Sequence, residues 1–304
     1  MTAPPWTPEQ VVEPELAAAL IAQQFPALQP AHLEPIGDGW DNTAYRVNDK
    51  HVFRFPRRAV AVPGVEAEAR ITPLLAPALP CAISETQFVG TPTDAFPWPF
   101  IGTRFVPGDS AHRHQLHDSA RGALAAPLGA FLRALHHHDA DAGADTIERD
   151  NVAVRRPRAM QRLDELPIDL IEYGVDPAAV RAVIETDPTP AHPDERRVVH
   201  GDLDARHLHL TSDYTLAGII DWGDVHRGDA ALDLSLVISF LPASAHAAFL
   251  KAYGPIDDAT WSRARFRAVC HSVLFVGYGH EIGDANLVTE AVGALRRVIE
   301  FQTP

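Results

Sequence analysis

The apolar pattern of this chain changes near residue 105, and that change constrains the fold more than any other feature. Before it, short β-rich runs alternate with turns: LEPIG, TAYRV, HVFRF, AISETQFVG and FPWPFIGTRFV. After it, apolar residues recur at helical spacing, as in LHDSARGALAAPLGAFLRALHHHD. This order predicts an α+β fold with a small β-rich region, residues 1–105, and a larger, mostly helical region, residues 106–304.

Local signals within the first region refine this prediction. Residues 8–24 have the periodicity of an amphipathic helix. The strands TAYRV and HVFRF are separated by Asn48, Asp49 and Lys50, which predicts a hairpin turn. A second helix, VEAEARITPLLA, follows Pro63 and Gly64.

The composition excludes several classes of protein. A net charge of −14 disfavours nucleic acid as a partner and suits a cationic or metal-bound ligand. Cys81 and Cys270 form neither a disulfide framework nor a metal-binding pattern, which favours the reducing cytoplasm. The N-terminus has no signal-peptide pattern, and no apolar run approaches the ~20 residues of a membrane-spanning helix. Nothing in the sequence indicates an oligomeric state.

Polar residues stand out in HGDLDARHLHL at 200–210 and in GIIDWGD at 218–224. The β-branched, apolar residues Val198 and Val199 precede the first segment, and the residues TSD separate the strand-like runs that follow, which predicts a hairpin. Asp202, His207 and Asp221 should therefore lie at strand ends or in the loops between strands. Polar groups held on such a scaffold are commonly functional.

In order and spacing, these segments resemble those of the aminoglycoside phosphotransferase family, which are small-molecule kinases built like protein kinases. HGDLDARHL matches the family pattern H-G-D-x-x-x-x-N, and IIDWGD matches I-D-W/F, but His207 replaces the usual Asn. The resemblance extends from the loop at 37–42 to the helix after residue 231. It implies a two-lobed, protein-kinase-like fold that transfers the γ-phosphate of ATP or GTP to a hydroxyl of an aminoglycoside-like or other small substrate.

The chemistry of these residues suits that role. Asp202 would accept the proton of the attacking hydroxyl or orient the hydroxyl. Asp221 would bind Mg²⁺, a hard cation that prefers carboxylate oxygen. His207 would occupy the second metal-ligand position or hold a water on that metal, although imidazole suits Mg²⁺ less well than an amide oxygen does. The alternative is that all three are turn and cap residues.

The nucleotide site is predicted from the resemblance and from position. The segment IGDGWDNTAYRV would cover the phosphates, with Gly39 and Asn42 as contacts. Arg54 stands where the family has a lysine that pairs with the α- and β-phosphates, and arginine keeps that charge. Glu68 is the expected ion-pair partner of Arg54, and Glu66 is the alternative.

The junction GTRFVPG would form the hinge that contacts the adenine ring through main-chain groups, with Arg104 and Val106 chosen by position. In the family, acidic side chains of the helical part hold cationic acceptors. Asp224 and Glu281 are the candidates here. A second hypothesis is a catalytically weak nucleotide-binding relative with a regulatory or binding role, because Arg54 and His207 replace the usual Lys and Asn.

Other polar residues receive structural interpretations. The run His136–His138 is expected at a solvated helix C-terminus, because successive helical positions cannot converge on one metal ion. Arg57 and Arg58 are expected to be an exposed pair. The resemblance implies that His200 braces the catalytic loop and that Asp233 is a loop anchor or a helix N-terminal charge.

Overall fold

The computed structural model describes residues 7–39 and 41–304, and the chain divides into two compact units. The first unit consists of Met1–Ala78, Ala82–Val106 and Ile219–Val225. The second consists of Leu79–Cys81, Pro107–Gly218 and His226–Pro304. Residues 1–6, where the sequence predicts no signal peptide, and residue 40 of the predicted phosphate loop lie outside the described residues. Which ligand each region binds stays a prediction.

The first unit is built around an antiparallel sheet. Its helices and strands are α1 (Pro14–Gln24), β1 (Leu33–Asp38), β2 (Asn42–Val47), β3 (His51–Pro56), α2 (Val62–Leu75), β4 (Ala82–Ile83), β5 (Thr86–Gly90) and β6 (Phe100–Arg104). The sheet has the order β1-β2-β3-β6-β5. This arrangement confirms the predicted α+β class, with a β-sheet in the N-terminal region.

Buried and less buried side chains alternate along β2 and β3, and the buried ones form the core beside this sheet. Tyr45 on β2 and Phe53 and Phe55 on β3 are buried, while the residues between them are less so. The turn between the strands contains Asn48 and Asp49 with φ of 52° and 57°, values that these two residue types tolerate. The predicted hairpin is therefore confirmed.

Helix α1 begins later than predicted. The periodicity suggested a start at residue 8, but the helix begins at Pro14, which occupies its first turn. Proline is favoured there because the N–H that it lacks would have no partner within the helix. The apolar residues Leu20 and Ile21 are buried as the pattern indicates.

The second unit is mostly helical. Its elements are β7 (Asp109–Ser110), α3 (Asp118–Ala123), α4 (Ala125–His136), α5 (Val152–Asp164), α6 (Pro177–Ile184), β8 (Arg197–Val199), β9 (Leu208–Leu210), β10 (Leu216–Ile219), β11 (His226–Gly228), α7 (Ala231–Phe240), α8 (His246–Tyr253), α9 (Asp258–Glu281) and α10 (Ala285–Glu300). Strand β9 lies between β7 and β10, and β8 pairs with β11. The predicted hairpin across 208–219 is confirmed.

Helix α7 is the centre of this unit. It is apolar on nearly all sides and buried along its length, as expected of a core helix. The longest helix, α9, packs against α7 and α10. Among the described residues, no helix is both long and apolar enough to cross a membrane.

Two helical glycines give a test of the packing. An added Cβ on Gly129 of α4 would lie 2.7 Å from the carbonyl oxygen of Phe249 and 2.9 Å from the Cβ of Ala252. Gly129→Ala should therefore lower the free energy of unfolding by about 1–3 kcal/mol, measured by urea denaturation. Gly277→Ala on α9 is the matched control, because its Cβ would meet nothing closer than 3.8 Å. The control should be neutral or stabilising by up to about 1 kcal/mol, and equal effects would contradict the close packing of α4 on α8.

Candidate active site

A buried carboxylate fixes the loop that joins β8 to β9. Asp233, in the first turn of α7, accepts hydrogen bonds from the main-chain N–H groups of His200 (2.8 Å) and Gly201 (2.9 Å). Gly201 has a φ of 84°, in the left-handed region that favours glycine. The main chain is therefore held in place immediately before Asp202.

His136 supports Asp233 from α4. Its Nε2 lies 3.1 Å from the Asp233 carboxylate, and its Nδ1 lies 2.8 Å from the Tyr253 hydroxyl. Burial alone would raise the pKa of Asp233, but the His136 contact outweighs it and the pKa lies below its usual range. The expectation of a solvated ring is wrong for His136, because the packing of α8 on α4 buries it. His137, the next residue, is exposed as predicted.

Asp202 follows the fixed turn and lies among basic side chains. Its Oδ1 is 3.1 Å from Nη2 of Arg267 and 3.2 Å from Nε2 of His271, while its Oδ2 is 3.6 Å from Arg206. Burial would raise the pKa of Asp202, but the contacts with His271 and then the charge of Arg206 hold it well below the ordinary value. Burial lowers the pKa of His271, so we regard its ring as a neutral hydrogen-bond donor to Asp202. Asp202 is therefore ionised at neutral pH.

His207 lies at the end of the same loop and is buried. Its Nδ1 lies 2.7 Å from the carbonyl oxygen of Asp202, and its ring stacks on His200 with the centroids 5.7 Å apart. We assign the proton to Nδ1 from this contact, since a carbonyl oxygen can only accept. In the neutral form of the ring, the lone pair is then on Nε2, the arrangement found in metal-binding histidines.

Asp204 is a feature of this loop that the sequence did not single out. It is buried, pairs with Arg206 at 2.7 Å, and its pKa falls to about 2, because Arg206 and the neighbouring His207 outweigh burial. One ligand atom each of Asp202, Asp204 and His271 lie within 4.8 Å of one another. Because arginines already pair with both carboxylates, we interpret these residues as an ion-pair network.

In the first unit, Arg54 on β3 links two carboxylates. Its guanidinium forms a very short ion pair with Glu68 of α2, and its Nη1 lies 2.8 Å from Oδ1 of Asp221. Burial raises the pKa of Glu68 to about 7 against the opposing charge of Arg54. Glu66, the alternative partner, is exposed. The structure thus brings Arg54, Glu68 and Asp221 together.

Asp221 has an unusual backbone conformation. Its φ is 67°, which is uncommon outside glycine and often marks functional sites. The next residue, Trp222, is fully buried, and its indole N–H donates to the carbonyl oxygen of Ile219 at 3.2 Å. Trp222 is therefore the packing residue that anchors this turn, and the side chain of Asp221 is 49% exposed.

Two arginines hold the loop between β1 and β2. The N–H of Gly39 donates to the carbonyl oxygen of Asn42 at 2.9 Å, and Arg57 donates to the carbonyl oxygen of Gly39 at 3.0 Å. Arg58 forms a very short ion pair with Asp41. The prediction that Arg57 and Arg58 are an exposed pair is wrong, because both are partly buried by these contacts.

The predicted hinge residues have different environments. The main-chain N–H of Arg104 donates to the carbonyl oxygen of Glu85 at 2.8 Å, and its guanidinium pairs with the Glu85 carboxylate at 2.9 Å. Val106 is buried. An adenine contact by Arg104 would therefore use a group other than its N–H.

The candidate acceptor residues belong to different units. Asp224 is partly buried in the segment 219–225 of the first unit, and Glu281 is exposed at the C-terminal end of α9 in the second. Their roles stay predictions.

Arg267 and His271 are the residues near Asp202 that sequence reasoning missed. They lie four residues apart on α9, a spacing that places them on one face of the helix. That spacing is visible in the sequence, but their contact with Asp202 depends on tertiary packing.

Comparisons with known proteins agree with this fold. Residues 32–267 match the model of the phosphotransferase enzyme family. The structure is similar to the GDP and kanamycin complex of APH(2")-IIIa, with a TM-score of 0.67, 23% identity, and coverage of 93% of this chain and 97% of that one. It is also similar to the streptomycin–ATP–APH(2")-IIa ternary complex, with a TM-score of 0.57, 18% identity, and coverage of 94% and 97%.

A macrolide phosphotransferase has the same fold. The apoenzyme of macrolide 2'-phosphotransferase MphH from Brachybacterium faecium is similar, with a TM-score of 0.56, 22% identity, and coverage of 92% of this chain and 97% of that one. Comparison with curated protein sequences gives no match. The structural similarities confirm the kinase-like fold that the motifs predicted.

The Asp233 anchor predicts a pH-dependent contribution to stability. Asp233→Asn should lower the free energy of unfolding by about 3 kcal/mol at pH 7, because it disrupts a buried charged network. The native pKa of Asp233 lies below its unfolded value of ~3.9, so the carboxylate stabilises the protein above that value and loses this effect as the pH falls through the native pKa. In urea denaturation, the difference between wild type and variant should therefore shrink as the pH falls toward 3.

Asp257, an exposed N-cap of α9, provides the control for this measurement. Asp257→Asn keeps a capping oxygen and should cost less than about 1 kcal/mol. A cost of Asp233→Asn that stays the same from pH 7 to pH 3 would show that its charge does not support the loop.

Proposed function

The chain belongs to the phosphotransferase enzyme family, and we propose that it is a small-molecule kinase that transfers the γ-phosphate of ATP or GTP to a hydroxyl group. The observation that carries this proposal is the position of Asp202, a partly exposed and ionised carboxylate on a loop fixed by Asp233. Phosphoryl transfer depends on positioning and charge stabilisation more than on covalent chemistry by the protein.

One oxygen of Asp202 is the proposed contact for the acceptor. Arg267 and His271 contact Oδ1, whereas Oδ2 has only the longer contact with Arg206, at 3.6 Å, among the residues that the structure describes. Oδ2 would therefore accept a hydrogen bond from the attacking hydroxyl. The low pKa makes Asp202 a weak base, so it would orient the hydroxyl and take its proton as the bond to phosphorus forms.

Arg54 is the proposed contact for the α- and β-phosphates. Glu68 holds its guanidinium in one orientation, and a guanidinium can bind phosphate oxygens bidentately. The loop with Gly39 and Asn42 would cover the phosphates, and residues 104–106 would contact the base. Similar structures are complexes with GDP or with ATP, which supports nucleotide use without favouring either base.

Asp221 and His207 are the proposed ligands of Mg²⁺. Their donor atoms fit a divalent cation, because Asp221 offers a half-exposed carboxylate and His207 a lone pair on Nε2. When bound, the metal would neutralise charge on the phosphates. Arg54, which contacts Asp221, would then share the carboxylate with the metal.

The acceptor is proposed to be an aminoglycoside-like or other small hydroxylated molecule. Similar structures are described with kanamycin or streptomycin, or as a macrolide phosphotransferase. Asp224 and Glu281 are the proposed contacts for a cationic group on such an acceptor.

The thiols support the cytoplasmic location that we propose. Cys81 and Cys270 are free cysteines, and burial raises the pKa of each to about 12. Neither thiol has the thiolate character of a reactive cysteine.

A catalytically weak nucleotide-binding relative is the second candidate function. The observation that favours it is the contact of Asp202 with Arg267 and His271, which makes the carboxylate a poor proton acceptor. Thermal shifts with ATP and GTP, with and without Mg²⁺, would detect binding in both cases. Only the kinase should consume nucleotide in a screen of amines, sugars and antibiotics.

Asp202→Asn tests the kinase proposal. The variant should bind nucleotide as the wild type does but lose about 10²–10⁴-fold in the rate of transfer, because it cannot take the hydroxyl proton. The measurements are the thermal shift with Mg-ATP and the initial rate of nucleotide consumption with the best acceptor of the screen. Asp213→Asn, in the exposed turn after β9, should leave both unchanged. Full activity of Asp202→Asn would remove Asp202 from the mechanism.

The metal assignment predicts different effects for its two ligands. Asp221→Ala should abolish the Mg²⁺-dependent part of nucleotide binding, measured by calorimetric titration. His207→Asn should keep binding and weaken any preference for Mn²⁺ over Mg²⁺, because an amide oxygen is a harder ligand than imidazole. Identical metal preference in wild type and His207→Asn would show that His207 only packs within the loop.

A further inference from the structure

Helix α5 carries a concentration of arginines in a chain whose net charge is −14. Residues 152–163 contain no acidic residue and four arginines: Arg155, Arg156, Arg158 and Arg162. Arg155, Arg158 and Arg162 are spaced i, i+3 and i+7, which places them on one face of the helix. Arg156 instead donates to main-chain carbonyl groups at the end of α6 and beyond it, and it pairs with the Asp187 carboxylate at 2.7 Å.

Arg155 and Arg162 lie near α9, against which α5 packs, and Arg158 is exposed beside them. The charges of Arg155 and Arg162 act on the thiol of Cys270, and the charge of Arg267 acts on both arginines. Arg267 in turn reaches Oδ1 of Asp202 at 3.1 Å. The cationic face therefore continues from α5 to the carboxylate that we propose orients the acceptor hydroxyl.

The guanidinium groups of Arg155, Arg158 and Arg162 form no ion pair with a carboxylate among the described residues. Within residues 7–39 and 41–304, Arg158 and Arg162 form no hydrogen bond or ion pair, although both are near other charges. Arg155 donates to the main-chain carbonyl oxygens of Ile147 (2.7 Å) and Glu148 (3.1 Å). None of these contacts neutralises the positive charge.

The proximity of these cations is unfavourable unless an anion offsets it. Burial lowers the pKa of Arg155 to about 10, and the charges of Arg267, Arg158 and Arg149 lower it further, against a smaller opposing effect of the Asp145 carboxylate. Arg155 still remains protonated at neutral pH. An ionised oxyanion between these groups would relieve their mutual repulsion and form charge-assisted hydrogen bonds.

We propose that Arg155, Arg158, Arg162 and Arg267, named here the arginine face, bind a carboxylate or phosphate group of the acceptor. The acceptor would then be a hydroxylated small anion rather than a polycation. This inference rests on the proposed kinase function and specifies its substrate class. Planar guanidinium groups match the oxygen geometry of both anions.

An acceptor bound in this way would present its hydroxyl to Asp202. Its oxygen forms a bond to the γ-phosphorus, and the bond from that phosphorus to the β–γ bridging oxygen breaks. The nucleoside diphosphate leaves, and the hydroxyl proton passes to Asp202 and then to solvent.

Four sugars that share one ring test the preference for charge. Glucuronate and glucose 6-phosphate are anionic, glucose is neutral and glucosamine is cationic, and all offer hydroxyl groups. At equal concentration, an anionic sugar should be phosphorylated at least roughly tenfold faster than glucose or glucosamine, because complementary charge favours the correct partner. The comparison of glucuronate with glucose 6-phosphate separates a carboxylate from a phosphate. Faster transfer to glucose or glucosamine would overturn the inference.

Substitutions on the arginine face test whether it supplies that preference. The double variant Arg158→Gln/Arg162→Gln should raise the KM for the preferred anion about tenfold or more and leave the nucleotide KM unchanged. Arg158→Lys/Arg162→Lys keeps the charge without the planar guanidinium, so its KM for the anion should lie between those of the wild type and the Gln double variant. Arg133→Gln, an exposed position on α4, is the matched control and should have no effect. An unchanged preference in the Gln double variant would overturn the inference.

A binding measurement separates this inference from the proposed function. The four sugars are titrated calorimetrically into enzyme that holds Mg²⁺ and a non-hydrolysable ATP analogue, so that the nucleotide site is filled. An anionic sugar should bind more tightly than glucose, and the Gln double variant should lose that difference. If neither anion binds more tightly, the inference fails even where another acceptor is phosphorylated. If the anions bind more tightly but no acceptor is phosphorylated, the result supports anion binding by the arginine face and contradicts the kinase function.

Discussion

The hydrogen bonds from His200 and Gly201 to the Asp233 carboxylate are the interaction on which the candidate active site depends. Asp233 is fully buried on the central helix α7, where an ionised carboxylate is costly unless hydrogen bonds and charges compensate it. Two main-chain N–H groups and His136 provide that compensation. Because α7 belongs to the packed core, these hydrogen bonds hold the loop that carries Asp202 against the core.

A carboxylate with a pKa as low as that of Asp202 can still serve in phosphoryl transfer. A strong general base would need a pKa near the working pH, and the neighbours of Asp202 shift its pKa in the opposite direction. Phosphoryl transfer through a loose transition state needs little proton abstraction early in the reaction, so a fixed and ionised carboxylate is sufficient. Arg267 and His271 hold one oxygen of this carboxylate in place, and the other is the one that we propose for the acceptor hydroxyl.

The sequence predicted local features well because they depend on neighbouring residues. The β2–β3 turn follows from the conformations that Asn48 and Asp49 tolerate, and the strand-end positions of Asp202 and Asp221 follow from the apolar runs beside them. Features that depend on packing between distant elements were missed or misread. The burial of His136 requires α8.

The position of the arginine face shows why total charge is a poor guide to a ligand. A net charge of −14 averages over the whole chain, whereas a bound molecule responds to charges within roughly one Debye length, about 8 Å at physiological salt. At that range, Arg155, Arg158 and Arg162 of α5 form no ion pair within the part of the chain that the structure describes, and Arg267 lies between them and Asp202. The sequence contains the spacing of these arginines, but only the packing of α5 on α9 brings Arg155 and Arg162 near Arg267. A chain that is acidic as a whole can therefore favour an anionic acceptor.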